Sequence, residues 1–261
     1  MAAAILMMNM HGAVCASSRD RTIFRYSEKI PFAIMVDPTS ELRWDDIIMT
    51  YQVKKSLSQE NTFEECVNDF YYYLKDKLSQ ADKGVQIKED NKKIVCVGYE
   101  PKEMFPRAAV INVSATEKNF NIFKNSTEIS PRESVFQIYL GNCENIHLLL
   151  GGVSEDIMGK MNTLLKKTLG DIMGNMDAAV GLIEGDRNYV SKMFTDLQID
   201  PKVTQAIADF TIKDMVSMAE NLIETEGLLS SGDSPISPTR EIGITTLAEG
   251  FVYIKHSLYG A

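Results

Sequence analysis

Hydrophobic residues form short strand-like runs at both ends of the chain, and each pair of runs flanks a turn. Residues 3–9 and 13–18 flank a turn at Gly12, and residues 241–247 and 251–255 flank a second glycine-bearing turn. Short apolar runs on either side of such a turn are typical of β-hairpins. We therefore predict one hairpin at each end of the chain.

Six further apolar or alternating runs between the hairpins have the composition of strands. The run at residues 31–36 has no polar member, which suits a strand that is buried on both faces. The six runs are residues 22–26, 31–36, 93–99, 108–113, 120–123 and 134–139. Their lengths of four to seven residues favour a sheet protein with several strands on each side of the helices.

Apolar residues three and four positions apart predict helices between these strands. The first helix follows an N-cap at Thr39-Ser40, the second opens with a capping box from Thr62 to Glu65, and Pro201 suits the first turn of the last. The predicted helices cover residues 41–57, 62–78, 155–173, a segment beginning near 186, and 201–225. Helices in blocks, rather than alternating with strands, predict an α+β fold in which helices cover paired antiparallel sheets.

Charge and cysteine content exclude several functional classes. The chain has 27 basic and 36 acidic residues, a net charge of −9, which disfavours nucleic acid or an anionic membrane as the main partner. Four cysteines without CxxC spacing and three separated histidines predict no metal site and no disulfide framework. No glycine-rich phosphate loop is present, so we predict no cofactor. The apolar start is too short for a signal peptide, and we expect a cytoplasmic protein.

Four segments, taken in order, resemble one known family. They are Ala4-Ile5-Leu6 with Gly12-Ala13-Val14-Cys15-Ala16, residues 31–36 followed by 44–51, Val97-Gly98-Tyr99 leading to Phe105-Pro106, and the final hairpin ending Phe251-Val252-Tyr253-Ile254-Lys255. The chain resembles the proteasome β-subunit branch of the N-terminal-nucleophile (Ntn) hydrolases over nearly its whole length. The resemblance implies a four-layer αββα sandwich, one domain over residues 1–261, and a homo-oligomer or a ring with related subunits.

The resemblance also implies where catalysis would occur. In that family a threonine at the start of the first strand attacks an amide carbonyl, its α-amine acts as the base, and an aspartate and a lysine complete the site. These positions fall on Ala3, Ser18 and Thr22 in this chain. Ala3 has no nucleophilic atom, and neither Ser18 nor Thr22 supplies the missing charge. We therefore expect an inactive protein that acts through self-assembly or as the structural partner of an active peptidase.

Other readings of the same residues remain open. Ala3 is natural in one reading and an engineered replacement of a nucleophile in another. Processing that exposed Cys15 would give an active peptidase or amidase with Arg19 or Arg21 nearby, although an arginine cannot act as a proton shuttle. Small-molecule binding in the same cleft is a further hypothesis, for which no residue argues at this point.

Overall fold

The structure is a computed structural model that describes residues 2–26, 30–54, 61–81, 92–116, 119–128, 135–151, 207–230 and 238–255. The chain divides into two compact units, one formed by residues 1–143 and 207–261 and the other by residues 144–206. The second unit contributes one described helix, Glu144–Gly151. The prediction of a single domain over residues 1–261 stays a prediction.

The described strands of the first unit form two antiparallel sheets of five strands each. The order is β10-β9-β2-β1-β8 in sheet A and β3-β4-β5-β6-β7 in sheet B. The strands are β1 (Ala3–Asn9), β2 (Gly12–Ser17), β3 (Ile23–Arg25), β4 (Phe32–Val36), β5 (Lys92–Tyr99), β6 (Pro106–Thr116), β7 (Asn119–Glu128), β8 (Val135–Gly141), β9 (Glu241–Thr246) and β10 (Gly250–Lys255). The predicted α+β class with paired antiparallel sheets is confirmed.

Both predicted hairpins are confirmed, and they lie side by side in sheet A. β1 pairs with β2, β9 pairs with β10, and β2 joins the two hairpins by pairing with β9. In that last register Ser17 lies opposite Glu241 and Ala13 lies opposite Thr245. β1 is therefore an interior strand, with β2 on one side and β8 on the other.

The described helices are α1 (Trp44–Lys54), α2 (Phe63–Ala81), α3 (Glu144–Gly151) and α4 (Ile212–Leu229). The two sheets face each other across a core of mostly small and unbranched side chains, such as Ala4, Met8, Ala33 and Met35. α1 and α2 cover the other face of sheet B with a more aromatic core that includes Phe70. α4 packs on β1 and β2 of sheet A. Helices therefore pack on both sheets of this unit, while the four-layer αββα sandwich stays a prediction.

Two helix starts differ from the sequence prediction, and α2 and α4 end three and four residues later than predicted. α1 begins at Trp44 rather than at residue 41, because the Ser40 hydroxyl accepts hydrogen bonds from Leu42 N (3.3 Å) and Trp44 Nε1 (2.7 Å) and holds a turn ahead of the helix. The helix predicted over residues 201–225 is interrupted at Phe210. Thr211 then starts α4 with a capping box in which Thr211 and Asp214 each accept the other's backbone N–H.

The capping box predicted for α2 is confirmed. Glu65 N donates to Thr62 Oγ1 (3.1 Å), and Thr62 N donates to a Glu65 carboxylate oxygen (3.0 Å). The helices predicted over residues 155–173 and from residue 186 lie outside the described residues.

Candidate functional site

The start of β1 brings together two of the residues that the resemblance singled out. Ala3 N donates to Ser18 Oγ over 2.9 Å, and Ser18 N donates to Ala3 O over 2.9 Å. The antiparallel register of β1 and β2 creates this contact between residues 15 positions apart. Ala3 is fully buried and Ser18 is 2% exposed. A buried methyl group therefore occupies the position that the resemblance gives to the nucleophile.

Thr22 lies on the connection from β2 to β3, where its polar groups are engaged by a buried carboxylate. Thr22 N donates to Glu241 Oε2 over 2.9 Å, and its hydroxyl lies 2.9 Å from Arg19 O and 3.1 Å from Glu241 Oε2. Because the hydroxyl has one proton, it donates to one of these oxygens at a time. Thr22 thus completes a hydrogen-bonded turn in the position where the resemblance would put a lysine.

Glu241 is the first residue of β9, and its carboxylate holds this turn by hydrogen bonds. Its carboxylate also accepts hydrogen bonds from Arg21 N (2.8 Å) and Ile23 N (3.1 Å), and the residue has no exposed surface. Arg21 adopts a left-handed backbone conformation with φ of 61°, which costs a non-glycine residue roughly 1 kcal/mol or more. The bonds to Glu241 offset that cost and keep the connection in one conformation.

Sequence reasoning missed Glu241 as a site residue and identified it only as the start of a hairpin. The available signal was weak: Glu241 is an acidic residue directly before the apolar run Ile242-Gly243-Ile244. An acidic side chain that is buried with such a run needs hydrogen-bonding partners. Nothing in the sequence linked it to residues 21–23, more than two hundred positions away.

Cys15 lies between the two sheets, in the middle of β2. Burial raises the pKa of the Cys15 thiol to about 12, so the thiol is neutral at physiological pH. Arg21, six positions after Cys15 in the chain, pairs with Asp45 over 2.9 Å. Arg19 Nη1 donates to the carbonyl oxygens of Pro38 (2.5 Å) and Ser40 (3.3 Å).

A cavity of about 570 Å³ opens beside Ser18 and Arg19. Asp20 and Arg240 also line it and form an ion pair over 3.0 Å, with side chains 28% and 51% exposed. Neither Ala3 nor Thr22 lines this cavity. Thr22 lines a smaller cavity of about 280 Å³ that extends toward Trp44 and shares Arg19 and Asp20 with the larger one.

Asn142, which follows Gly141 at the end of β8, also lines the larger cavity. Asn142 N donates to Ala2 O over 2.9 Å, and Gly141 has φ of +77°. A Cβ at position 141 would lie 2.4 Å from Ala2 O, closer than any real contact. Glycine is therefore required here for the end of β8 to reach the start of β1.

No group of three or more histidine, cysteine, aspartate or glutamate side chains in the described ranges is arranged to hold a metal ion. Within those same ranges, no helix has the length and apolar character that crossing a membrane requires. The predicted cytoplasmic location stays a prediction.

No family model matches the chain, and no curated protein matches it. A solved structure that is similar is Anbu from Hyphomicrobium sp. strain MC1. Its sequence is 11% identical, the match covers 98% of this chain and 88% of that one, and the TM-score is 0.45.

These findings correct the family assignment made from the sequence. The expected membership of the proteasome β-subunit branch of the Ntn hydrolases is wrong, because no family model matches and the one similarity described above is too distant to assign a family. The segments that carried the resemblance form hairpins, a strand-to-helix passage and a turn. Many two-sheet proteins need such elements, so their order defined the fold class without defining a family.

Proposed function

We propose that this protein is not a catalyst and acts by assembling with further copies of itself. The observation that carries the proposal is the start of β1, where the fully buried Ala3 is hydrogen-bonded to Ser18 through backbone and hydroxyl groups. An acyl-transfer site needs a nucleophile beside a base, and this pair of residues supplies no activated nucleophile. Amide hydrolysis at this position therefore has no attacking group.

The position of Cys15 argues against the alternative of a processed cysteine nucleophile. A new terminus at Cys15 requires the loss of all seven residues of β1, each of which is fully buried. β1 pairs with both β2 and β8, so its loss would leave two new edges within sheet A. The thiol would also have to lose most of its pKa increase before it could attack a carbonyl.

Self-assembly is supported by apolar side chains on the outer surface of the α1–α2 layer. Met49 on α1 is 62% exposed, and Tyr72 on α2 is 65% exposed with its ring packed edge-on against Tyr71 at 5.3 Å. Tyr73 beside it turns inward and donates to Ile47 O over 3.1 Å, which joins the two helices. Tyrosine and methionine are enriched in the centres of protein interfaces. We name Met49 and Tyr72 the helical-layer patch.

Sedimentation velocity of the full chain over a range of concentrations tests the proposal directly. We expect species larger than one chain that dissociate on dilution. A double variant, Met49→Ser with Tyr72→Ser, should shift the protein toward single chains, whereas Leu247→Ser, at an exposed leucine on the β9–β10 turn, should not. A single chain at every concentration would refute self-assembly.

The absence of catalysis needs a separate measurement on the same preparation. Intact mass and N-terminal sequencing should give Met1 or Ala2 as the first residue, and a pool of fluorogenic peptide amides should not be hydrolysed. A first residue at Cys15, or hydrolysis that is lost on Cys15→Ala, would overturn the non-catalytic proposal. These outcomes are independent of the oligomeric state.

A further inference from the structure

The cavity of about 570 Å³ beside Ser18 is within the size range of small-molecule sites, about 300–1,000 Å³. Its wall contains no large apolar side chain; the nonpolar members are Ala2 and Pro38. A ligand that bound here would have to gain its affinity through polar contacts. The chemistry of the lining groups therefore restricts the class of ligand.

Hydrogen-bond donors predominate among the lining groups. The Ser18 hydroxyl accepts from Ala3 N and has no acceptor for its own proton in the described structure, although Ser18 is 98% buried. Asn142 Oδ1 accepts from Ala2 N over 3.4 Å, while no described group accepts from Asn142 Nδ2. Because Ser18 is shielded from water, its unpaired donor carries a desolvation cost, which an acceptor on a ligand would remove. Asn142 is exposed, so its amide adds a donor without that cost.

Two arginines add further donors to the same wall. The described contacts of Arg19 and Arg240 use only Nη1 of each guanidinium, which donates to Pro38 O and Ser40 O in one case and to Asp20 Oδ2 in the other. Guanidinium groups bind planar oxyanions in a bidentate manner through the remaining nitrogens. The wall is therefore suited to an anionic oxygen ligand.

The charge balance selects a monoanion. Arg19 and Arg240 against Asp20 leave one positive charge in the lining, and one negative charge neutralises it. The whole chain carries a net charge of −9, so a cavity of positive sign is a local exception that concentrates small anions. A dianionic phosphate would leave an excess negative charge in an already acidic protein.

Asp20 defines a second feature of the ligand. Its Oδ2 accepts from Arg240 over 3.0 Å, while its Oδ1 is shielded from solvent and has no hydrogen-bond partner in the described structure. The Asp20 side chain as a whole is 28% exposed, so a ligand that carries an N–H or O–H next to its anionic group would place a donor near this carboxylate. Simple carboxylates lack such a donor.

We propose that this cavity binds a small monocarboxylate with a hydroxyl or amino group on the α-carbon. The carboxylate is bound by Arg19, Arg240 and the Ser18 hydroxyl, and the α-substituent faces Asp20. Neither Met49 nor Tyr72 lines this site, so the binding test and the assembly test are separate measurements.

Ligand-observed NMR on the full chain, with a matched series of three-carbon probes, tests the proposal. Propionate, L-lactate and L-alanine share the carboxylate and differ at the α-carbon, and inorganic phosphate is the fourth probe. We expect lactate or alanine to bind at least several-fold more tightly than propionate, and all three carboxylates to compete with one another. Equal binding of propionate would refute the role of Asp20, and tighter binding of phosphate would refute the preference for a carboxylate.

Two matched arginine variants locate the site. Arg240→Gln and Arg43→Gln each remove one exposed arginine from a single ion pair with an aspartate, Asp20 in one case and Asp46 in the other. Arg43 does not line the cavity of about 570 Å³. Arg240→Gln should weaken binding roughly tenfold or more, as expected for a lost charge-assisted hydrogen bond, and Arg43→Gln should leave it unchanged.

The remaining variants address the donors that do not carry charge. Asn142→Ala should weaken binding several-fold, and Ser18→Ala more, although Ser18→Ala also removes the acceptor of Ala3 N. Circular dichroism on each variant shows whether it folds, and Asn142→Ala gives a result if Ser18→Ala does not. Absence of binding by any probe, or equal effects of Arg240→Gln and Arg43→Gln, would overturn the proposed site.

Discussion

Two fully buried polar side chains hold opposite ends of sheet A, and they differ in charge. Glu241 accepts backbone N–H groups of residues 21–23, while Asn9 donates through Nδ2 to Ile207 O (3.0 Å) and Phe210 O (2.8 Å). Each side chain hydrogen-bonds a segment that is distant in sequence and holds it at the end of a strand. Glu241 is ionisable, and the turn that it holds carries the cavity-lining residues Ser18, Arg19 and Asp20.

A buried polar side chain that hydrogen-bonds a distant segment has a different role at each end of sheet A. At the Asn9 end, the amide satisfies carbonyls that precede α4 and fixes where that helix begins. At the Glu241 end, the carboxylate fixes a turn whose side chains meet a polar cavity. We infer that the Asn9 end contributes to stability alone, while the Glu241 end contributes to both stability and ligand binding.

The largest expected effect is that of Glu241→Ala. The variant leaves the buried N–H groups of Thr22 and Ile23 without acceptors, at about 1–3 kcal/mol for each group. We expect the free energy of unfolding to fall by about 3–5 kcal/mol in total, measured by urea denaturation. Glu249→Ala, at an exposed glutamate on the β9–β10 turn, is the control and should change stability by less than about 0.5 kcal/mol. Equal effects of the two substitutions would contradict the role assigned to Glu241.

A smaller effect is expected from Asn9→Ala at the other end. The variant removes both donors to Ile207 O and Phe210 O, and we expect the free energy of unfolding to fall by about 1–3 kcal/mol. Binding of the monocarboxylate probes should be unchanged in the fraction that is folded. Weaker binding in folded Asn9→Ala protein would show that the two ends are coupled and would remove the distinction drawn between them.

The smallest expected effect concerns the capping box that follows Phe210. The hydroxyl and the backbone N–H of Thr211 lower the pKa of Asp214 below its usual value of about 3.9. A lowered pKa in the folded state stabilises the protein at pH values above 3.9, and this contribution is lost as the pH falls through the folded-state pKa. Asp214→Asn should lower the melting temperature slightly at pH 7, and the difference from the parent protein should shrink below pH 4. A difference that does not vary with pH would show that the charge of Asp214 is not involved.

Local patterns predicted much of the fold. The alternation and turn residues around Gly12 and Gly250 identified both hairpins, and the capping box at Thr62 and Glu65 identified the start of α2. The start of α4 was misjudged even though Thr211 and Asp214 have a capping-box spacing. The apolar pattern continues through Ile207 and Phe210, and only the contact with Asn9 shows where the chain leaves the helical path.

The candidate site was predicted less well than the fold. The contact between Ala3 and Ser18 follows from a hairpin register, and sequence reasoning had placed both residues in one site. Asp20, Asn142 and Arg240 were not identified, because single charged or amide residues in loops resemble ordinary surface positions. The family assignment was wrong for a related reason. Hairpin and turn patterns recur wherever two antiparallel sheets are built, so they do not identify a family.

The sequence by itself determined the α+β class, the hairpins, the absence of a nucleophilic side chain at position 3 and the acidic character of the chain. These properties depend on residue identity and on interactions over a few positions, which a linear pattern records. Only the tertiary structure decided that the two terminal hairpins share a sheet, that Glu241 supports the turn at Arg21, and that Arg240 lies beside Asp20. Those pairings join residues more than two hundred positions apart, and their stability comes from burial and hydrogen-bond geometry that exist only after the sheets have formed.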